Sequence, residues 1–203
     1  ATCKAIIEHI RTAKKEKDTV GGLCEVHVFG CPPGLGSCVQ WNEKLDSKLA
    51  GAVMGIQAFK AVEIGIGAEC GNLCGSQVHD PILYDASATQ KSHFGFERPT
   101  NHAGGIEGGM TNGMPVVVRG TMKPIATLLQ GMDSVSLCTG ESVRSDYERS
   151  DVCALPAASV VMENAVGFEI ASVFLTSFGG ATIEMVRASH DAFAEAARKI
   201  IPS

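Results

Sequence analysis

Thr100-Asn-His-Ala-Gly-Gly-Ile-Glu-Gly-Gly-Met-Thr-Asn-Gly-Met-Pro-Val-Val-Val-Arg-Gly-Thr-Met-Lys-Pro-Ile-Ala-Thr127 is the stretch on which the reading of this chain turns. Its glycines, Gly104, Gly105, Gly108, Gly109 and Gly113, permit left-handed turns and let a backbone come close to a ligand. The loop feeds an apolar strand at Val116 to Val118. Two cations follow, Arg119 and Lys123, in a segment stiffened by Pro124. Backbone N–H groups beside cations suit an anion such as phosphate. A glycine-rich loop between strands is also how a chain turns a corner, and the pattern alone leaves both readings open.

Periodicity on either side supplies partners for that strand. Cys3, Ile6, Ile10 and Ala13 fall on one helical face, which ends at the charged turn Lys14 to Asp18. After Gly21-Gly22, the residues Cys24, Val26 and Val28 alternate with Glu25 and His27 as a half-buried strand does. Leu45, Leu49, Ala52 and Ile56 mark a second amphipathic helix, and Val62, Ile64 and Ile66 another strand. These strands and the one at Val116 are expected to share one sheet.

Cys153 to Phe178 is almost continuously apolar, yet Pro156 opens it and Glu163, Asn164 and Glu169 interrupt it. It reads as a central buried helix rather than a membrane span. A last helix follows the break at Gly179-Gly180, with His190 inside its apolar stripe as a hydrogen-bonded core histidine. The expected fold is α+β, an antiparallel sheet with packed helices, in one domain over residues 1–203. Within it, helix, strand, helix and strand run through residue 68, a long loop and the glycine-rich loop occupy 69–114, and a strand and the final helices occupy 115–203. The stretch from Glu69 to Pro99 is long for a connection. Its His79, Asp80, His93 and Arg98 either face a substrate or sit on a solvated loop.

At 203 residues and 45% hydrophobic composition, the chain can bury about 70% of its unfolded surface. A net charge of -5 argues against a general partner in nucleic acid or anionic membrane. An anionic ligand must then meet local cations, of which Arg98, Arg119, Lys123, Arg144 and Arg149 lie near the motifs. The eight cysteines lack zinc-site spacing. They read as reduced, mostly packed thiols of a cytoplasmic compartment, with no metal site. The chain opens directly on a helical pattern, so no secretory leader is expected.

A second motif is Glu148-Arg-Ser-Asp-Val-Cys-Ala-Leu-Pro-Ala-Ala158, an Arg-Ser-Asp triplet ahead of the long apolar helix. Ser150 or Asp151 can serve as N-cap, with Pro156 in the first turn. Arg149 is then either a solvated cap neighbour or an anion ligand.

The two motifs in this order resemble chorismate synthases. The similarity extends through Asp18-Thr-Val-Gly-Gly-Leu, Cys31-Pro-Pro-Gly-Leu-Gly, Lys44-Leu-Asp-Ser-Lys-Leu-Ala, Met54-Gly-Ile-Gln-Ala-Phe-Lys, Val62-Glu-Ile-Gly, Gly75-Ser-Gln and His79-Asp. The resemblance implies the family's β-α-β sandwich and a 1,4-elimination that converts 5-enolpyruvylshikimate-3-phosphate to chorismate and phosphate. It also implies reduced FMN as cofactor and a homotetramer, and some members reduce their flavin with NADPH. Matched motif by motif, Gln57, Ala58, Gly108, Arg149 and the run Lys123, Pro124, Ile125, Ala126 and Thr127 correspond to the family's flavin contacts. Asp151 corresponds to the carboxylate assigned to proton removal near flavin N5.

Three departures accompany the matches. Ile66 stands where the family carries Asp, and Ala126 where it carries a second proline. The family's His-Gly-Glu-Ser-His-Gly opening, arginine-rich substrate segment, second catalytic histidine and Arg-Ala-Ser segment have no counterpart. A C-terminal portion of the family pattern is therefore expected, catalytically silent by itself. A non-catalytic piece whose remaining role is assembly, and a general FMN- or phosphate-binding module, are the alternative readings.

Overall fold

The computed structural model describes residues 2–146 and 148–200. Three strands form its main sheet: β1 (Gly22–Val28), β2 (Phe59–Ile64) and β3 (Val116–Met122). The order is β1-β3-β2, with both pairs antiparallel, so the strand after the glycine-rich loop is the central one. Four long helices accompany it: α1 (Thr2–Lys15), α2 (Leu45–Met54), α3 (Leu155–Phe178) and α4 (Ile183–Ile200). The α+β class and the shared sheet expected from periodicity are both present.

Alternation sorts the sheet into two faces. Val118 sits opposite Val26 on one side and Ile64 on the other, while Val116 pairs with Val28. These apolar positions meet Leu45, Leu49 and Val53 of α2 and Met162 and Val166 of α3, all fully buried. Each such side chain contributes about 1.5–3 kcal/mol of transfer free energy. On the other face Arg119 lies between Glu25 and Glu63 in register, and its guanidinium donates to the Glu25 carboxylate. That hydrogen bond and one from the His27 ring hold the Glu25 carboxyl below its ordinary value.

The central-helix reading of α3 holds for one side of the helix. Ala158, Met162, Val166 and Val173 are buried against the sheet and α2, whereas Val160, Val161, Phe168 and Leu175 are exposed. The sheet and α2 make one covering layer, and α4 adds cover only at the C-terminal end of α3, where Phe174 and Phe178 meet His190 and Phe193. By length and composition α3 is also long and apolar enough to cross a membrane. His190 is half-buried, at a rim rather than in the core, with its ring 5.2 Å from that of Phe178 and its Nδ1 3.2 Å from the Asp191 carboxylate.

The connection from Glu69 to Pro99 is ordered by short local pieces. A 3-10 turn covers Gly67–Asn72, a helical turn Gly75–Val78, and Leu83–Tyr84 pairs with Phe96–Glu97. Asp80 ties this stretch to the glycine-rich loop. Its carboxylate accepts from the N–H groups of His102 and Ala103 (both 2.9 Å) and from the Thr100 hydroxyl (2.5 Å). Burial pushes the Asp80 carboxyl up, but these three donors together outweigh it and hold the group below its ordinary value. A hairpin of Asp133–Val135 with Ser142–Arg144, unmarked by sequence periodicity, lies in the connection that runs from Lys123 to Arg149.

Candidate functional site

The site residues matched by motif gather where the three main strands begin or end. β3 ends at Met122, which pairs with Phe59 at the start of β2 and with Gly22 at the start of β1. Lys123, Ala58 and Gly21 therefore stand side by side at one end of the sheet. The Lys123 N–H donates to the Ala58 carbonyl at 2.9 Å. Gly21 allows a close approach: a Cβ there would lie 2.2 Å from the Met122 carbonyl oxygen and 2.9 Å from the Pro124 nitrogen.

The Arg-Ser-Asp segment joins this group from the other direction. The Val20 N–H donates to the Val152 carbonyl at 2.9 Å, and the Ser150 hydroxyl donates to the Thr127 carbonyl at 3.0 Å. Ser150 is thus not an N-cap. Nor is Asp151, because α3 begins at Leu155 with Ala154 before it and no side-chain cap. Proline within the first helical turn needs no N–H there, so the helix starts next to Pro156 and leaves the Ser150 hydroxyl free to bind Thr127.

Gln57, Ala58, Lys123, Pro124, Ile125, Ala126, Thr127, Arg149 and Asp151 are brought to this one end. Gly108 is not. It lies in the turn between Ile106–Glu107 and Met110–Thr111, where the neighbouring Gly109 carbonyl accepts from the Leu45 N–H at the start of α2. Gln57 and Ala58 follow the other end of α2, whose ten residues rise about 15 Å.

Charge separates the candidate cations. Arg98 is spent on Glu107 (2.6 Å), Arg119 on Glu25, and Arg144 on Asp133 (2.8 Å). Lys123 and Arg149 are exposed, and neither has a hydrogen-bond or ion-pair partner for its side chain among the described residues. Beyond Lys123, the N–H groups of Ile125, Ala126 and Thr127 likewise donate to nothing among the described residues. Two free cations and a run of free amides at one end of a sheet can accept a polyanion.

Backbone strain occurs here too, as it does at Lys17 and Phe94. Ala58 has φ 69°, in the left-handed region that a residue with a Cβ occupies at a cost of about 1–2 kcal/mol. Such strain concentrates where a chain must present a particular backbone to a ligand.

An apolar cavity of about 460 Å³ lies elsewhere, between the 82–98 hairpin and α4, lined by Phe94, Phe96 and Phe193 among others. The Arg98 guanidinium on its wall is engaged by Glu107 and by the Asn112 carbonyl (3.5 Å), so it offers a polyanion no free cation. The chemistry of the sheet end outweighs cavity size here. Of the other loop residues, His79 is exposed and His93 Nε2 stands 3.7 Å from Glu97.

Sequence reasoning gave no role to Thr19. It is buried at 9% exposure, and its hydroxyl donates to the Ile125 carbonyl at 2.6 Å. The signal available was its place in Asp18-Thr-Val-Gly-Gly-Leu, a motif with no chemistry of its own.

Comparison with known proteins identifies the family. The family model described as chorismate synthase matches residues 1–175. The chain is 52% identical over 194 residues to a chorismate synthase of Geobacter metallireducens, covering 95% of this chain and 49% of that protein. It is 50% identical over 196 residues to one of Bacillus cytotoxicus, covering 97% and 49%. A crystal structure of chorismate synthase superposes with a TM-score of 0.78 at 36% identity, over 97% of this chain and 49% of that one. The chain thus spans about half the length of these relatives. Over that half it belongs to the chorismate synthase family.

Proposed function

We propose that this chain supplies the flavin-holding part of a chorismate synthase, the enzyme that eliminates phosphate from 5-enolpyruvylshikimate-3-phosphate to give chorismate. The observation that carries the reading is the pair of cations, Lys123 and Arg149, unpaired among the described residues, beside the N–H groups of Ile125, Ala126 and Thr127 that likewise have no partner among them. FMN and the substrate are both polyanions, and an acidic chain of net charge -5 needs such a local cationic patch to bind either.

In this reading Lys123, Arg149 and the 125–127 amides bind and orient reduced FMN, with Gln57 and Ala58 against it. Gly108 belongs to the same set by motif, from the far end of α2. The bound reduced flavin supplies electron density to the substrate as phosphate leaves. Asp151 is exposed at the same sheet end, two residues beyond Arg149, and its Oδ atoms receive the proton released in the elimination. The eight free cysteines suit a reducing, cytoplasmic setting.

Titration of FMN with the 203-residue chain, followed by fluorescence quenching, tests the reading. Micromolar or weaker binding is expected, with about tenfold loss in Arg149→Ala and in Lys123→Ala. Equal affinity in wild type and both variants would remove the flavin from this end of the sheet.

A second reading, assembly, rests on a different observation. The exposed apolar side of α3, with Val160, Val161, Phe168 and Leu175, is larger than scattered surface residues require. Burial of that side in an oligomer such as the family's tetramer is compatible with flavin binding at the sheet end.

A further inference from the structure

β3 stops forming ladder hydrogen bonds at Met122, so the segment from Lys123 to Thr127 needs other anchors. Among the described residues it has three. One is the Lys123 N–H on the Ala58 carbonyl; the other two are hydroxyls, Thr19 on the Ile125 carbonyl (2.6 Å) and Ser150 on the Thr127 carbonyl (3.0 Å). The hydroxyls come from segments far apart in sequence. They are joined by the Val20 N–H on the Val152 carbonyl, so they act from one connected support.

The division of labour within the segment is informative. Its carbonyls at 125 and 127 are taken by Thr19 and Ser150, while its N–H groups at 125, 126 and 127 are left over. A hydroxyl that donates to a carbonyl fixes the one peptide plane that the carbonyl shares with the next N–H, which is Ala126 for the Thr19 bond and Leu128 for the Ser150 bond, and so holds the course of the segment between them. Thr19 is held in turn: its own N–H donates to the Asp18 carboxylate at 2.7 Å, and its side chain is shielded from water that would compete for the Ile125 carbonyl.

We propose that Thr19 and Ser150 are positioning residues, which clamp the Lys123–Thr127 segment by its carbonyls so that its free amides face the anionic part of the flavin nucleotide. The proposal rests on the assignment of FMN to this end of the sheet. Neither residue touches the ligand; both act through the segment.

The test compares Thr19→Val, which keeps the shape and removes the donor, with Thr19→Ser, which keeps the donor. FMN affinity is read by fluorescence quenching, and FMN-induced amide shifts of Ile125, Ala126 and Thr127 by NMR. Thr19→Val is expected to bind FMN about tenfold more weakly and to lose those amide shifts, while Thr19→Ser keeps both. Ser150→Ala, at a half-buried position, serves as the second variant if Thr19→Val unfolds, with the same expected loss. If Arg149→Ala weakens FMN binding but Thr19→Val and Ser150→Ala do not, the clamp is overturned and the flavin site stands. If wild type itself shows no FMN binding or amide shifts, both fall together. Loss of melting temperature with FMN affinity and amide shifts intact reduces the two hydroxyls to a structural role and overturns the clamp.

Discussion

The backbone N–H of Lys123 and the carbonyl of Ala58 form a 2.9 Å hydrogen bond that joins the end of β3 to the start of β2. It brings together a cation matched to flavin binding and a residue in left-handed conformation. The two lie 65 positions apart in sequence, and the antiparallel register of the sheet makes them neighbours.

That conformation predicts the cost of a larger side chain. Ala58→Val places a β-branched residue at φ 69°, and should destabilise the chain by about 1–3 kcal/mol in urea unfolding. Hydrogen exchange of the Lys123 amide should quicken along with it. A variant as stable as wild type would mean that the turn relaxes freely and stores no strain.

Arg149 and Asp151 should separate by role. Arg149→Ala is expected to lower FMN affinity, whereas Asp151→Asn should leave it nearly intact. Where the chain is joined to the remaining half of the family's length, Asp151→Asn should slow turnover by about 100-fold or more, the scale of a lost general base. Undiminished turnover would show that another group takes the proton.

How far the sequence reached is clear from particular residues. The alternation of Cys24, Val26 and Val28 identified β1, and Val116 to Val118 identified β3, because period two is a local property of a half-buried strand. The exposed side of α3 was not legible: Val160 and Val166 are the same residue type, and only the tertiary cover distinguishes them. The contribution of Ser150 was misread for a related reason. A serine ahead of a helix commonly caps it, and the competing acceptor, the Thr127 carbonyl, comes from a segment more than twenty residues away. Position near the motifs named five cations alike and motif matching singled out Lys123 and Arg149, but that Arg98, Arg119 and Arg144 are engaged by carboxylates was visible only in the pairing distances.

The Asp80 carboxylate should give the glycine-rich loop a pH dependence. Its folded value lies below the ordinary 3.8. The stabilisation is therefore fully present above about pH 4 and is lost as the pH falls through the lowered folded value. Asp80→Asn should cost about 1–2 kcal/mol at pH 7, a figure kept modest because the group is partly exposed. The difference from wild type in urea midpoint should shrink as the pH falls below about 4. A gap that stays constant with pH would assign the cost to shape rather than charge.

Gly21 and Gly108 offer a contrast between two reasons for glycine. At Gly21 an added Cβ meets backbone, 2.2 Å from the Met122 oxygen and 2.9 Å from the Lys123 carbonyl carbon, so Gly21→Ala must push the Lys123–Thr127 segment away. At Gly108 a Cβ would meet nothing within 4 Å, and the obstacle is only φ +61°. Gly108→Ala should therefore cost about 1 kcal/mol, the usual penalty of a left-handed alanine, and Gly108→Asn less, since asparagine tolerates that region. Gly21→Ala should cost more than either and should also weaken FMN binding, because it displaces the free amides at 125 to 127. Thermal unfolding and FMN titration of the three variants decide the matter. If Gly21→Ala proves as mild as Gly108→Asn in both measurements, the close backbone approach at the strand ends has no part in holding the site.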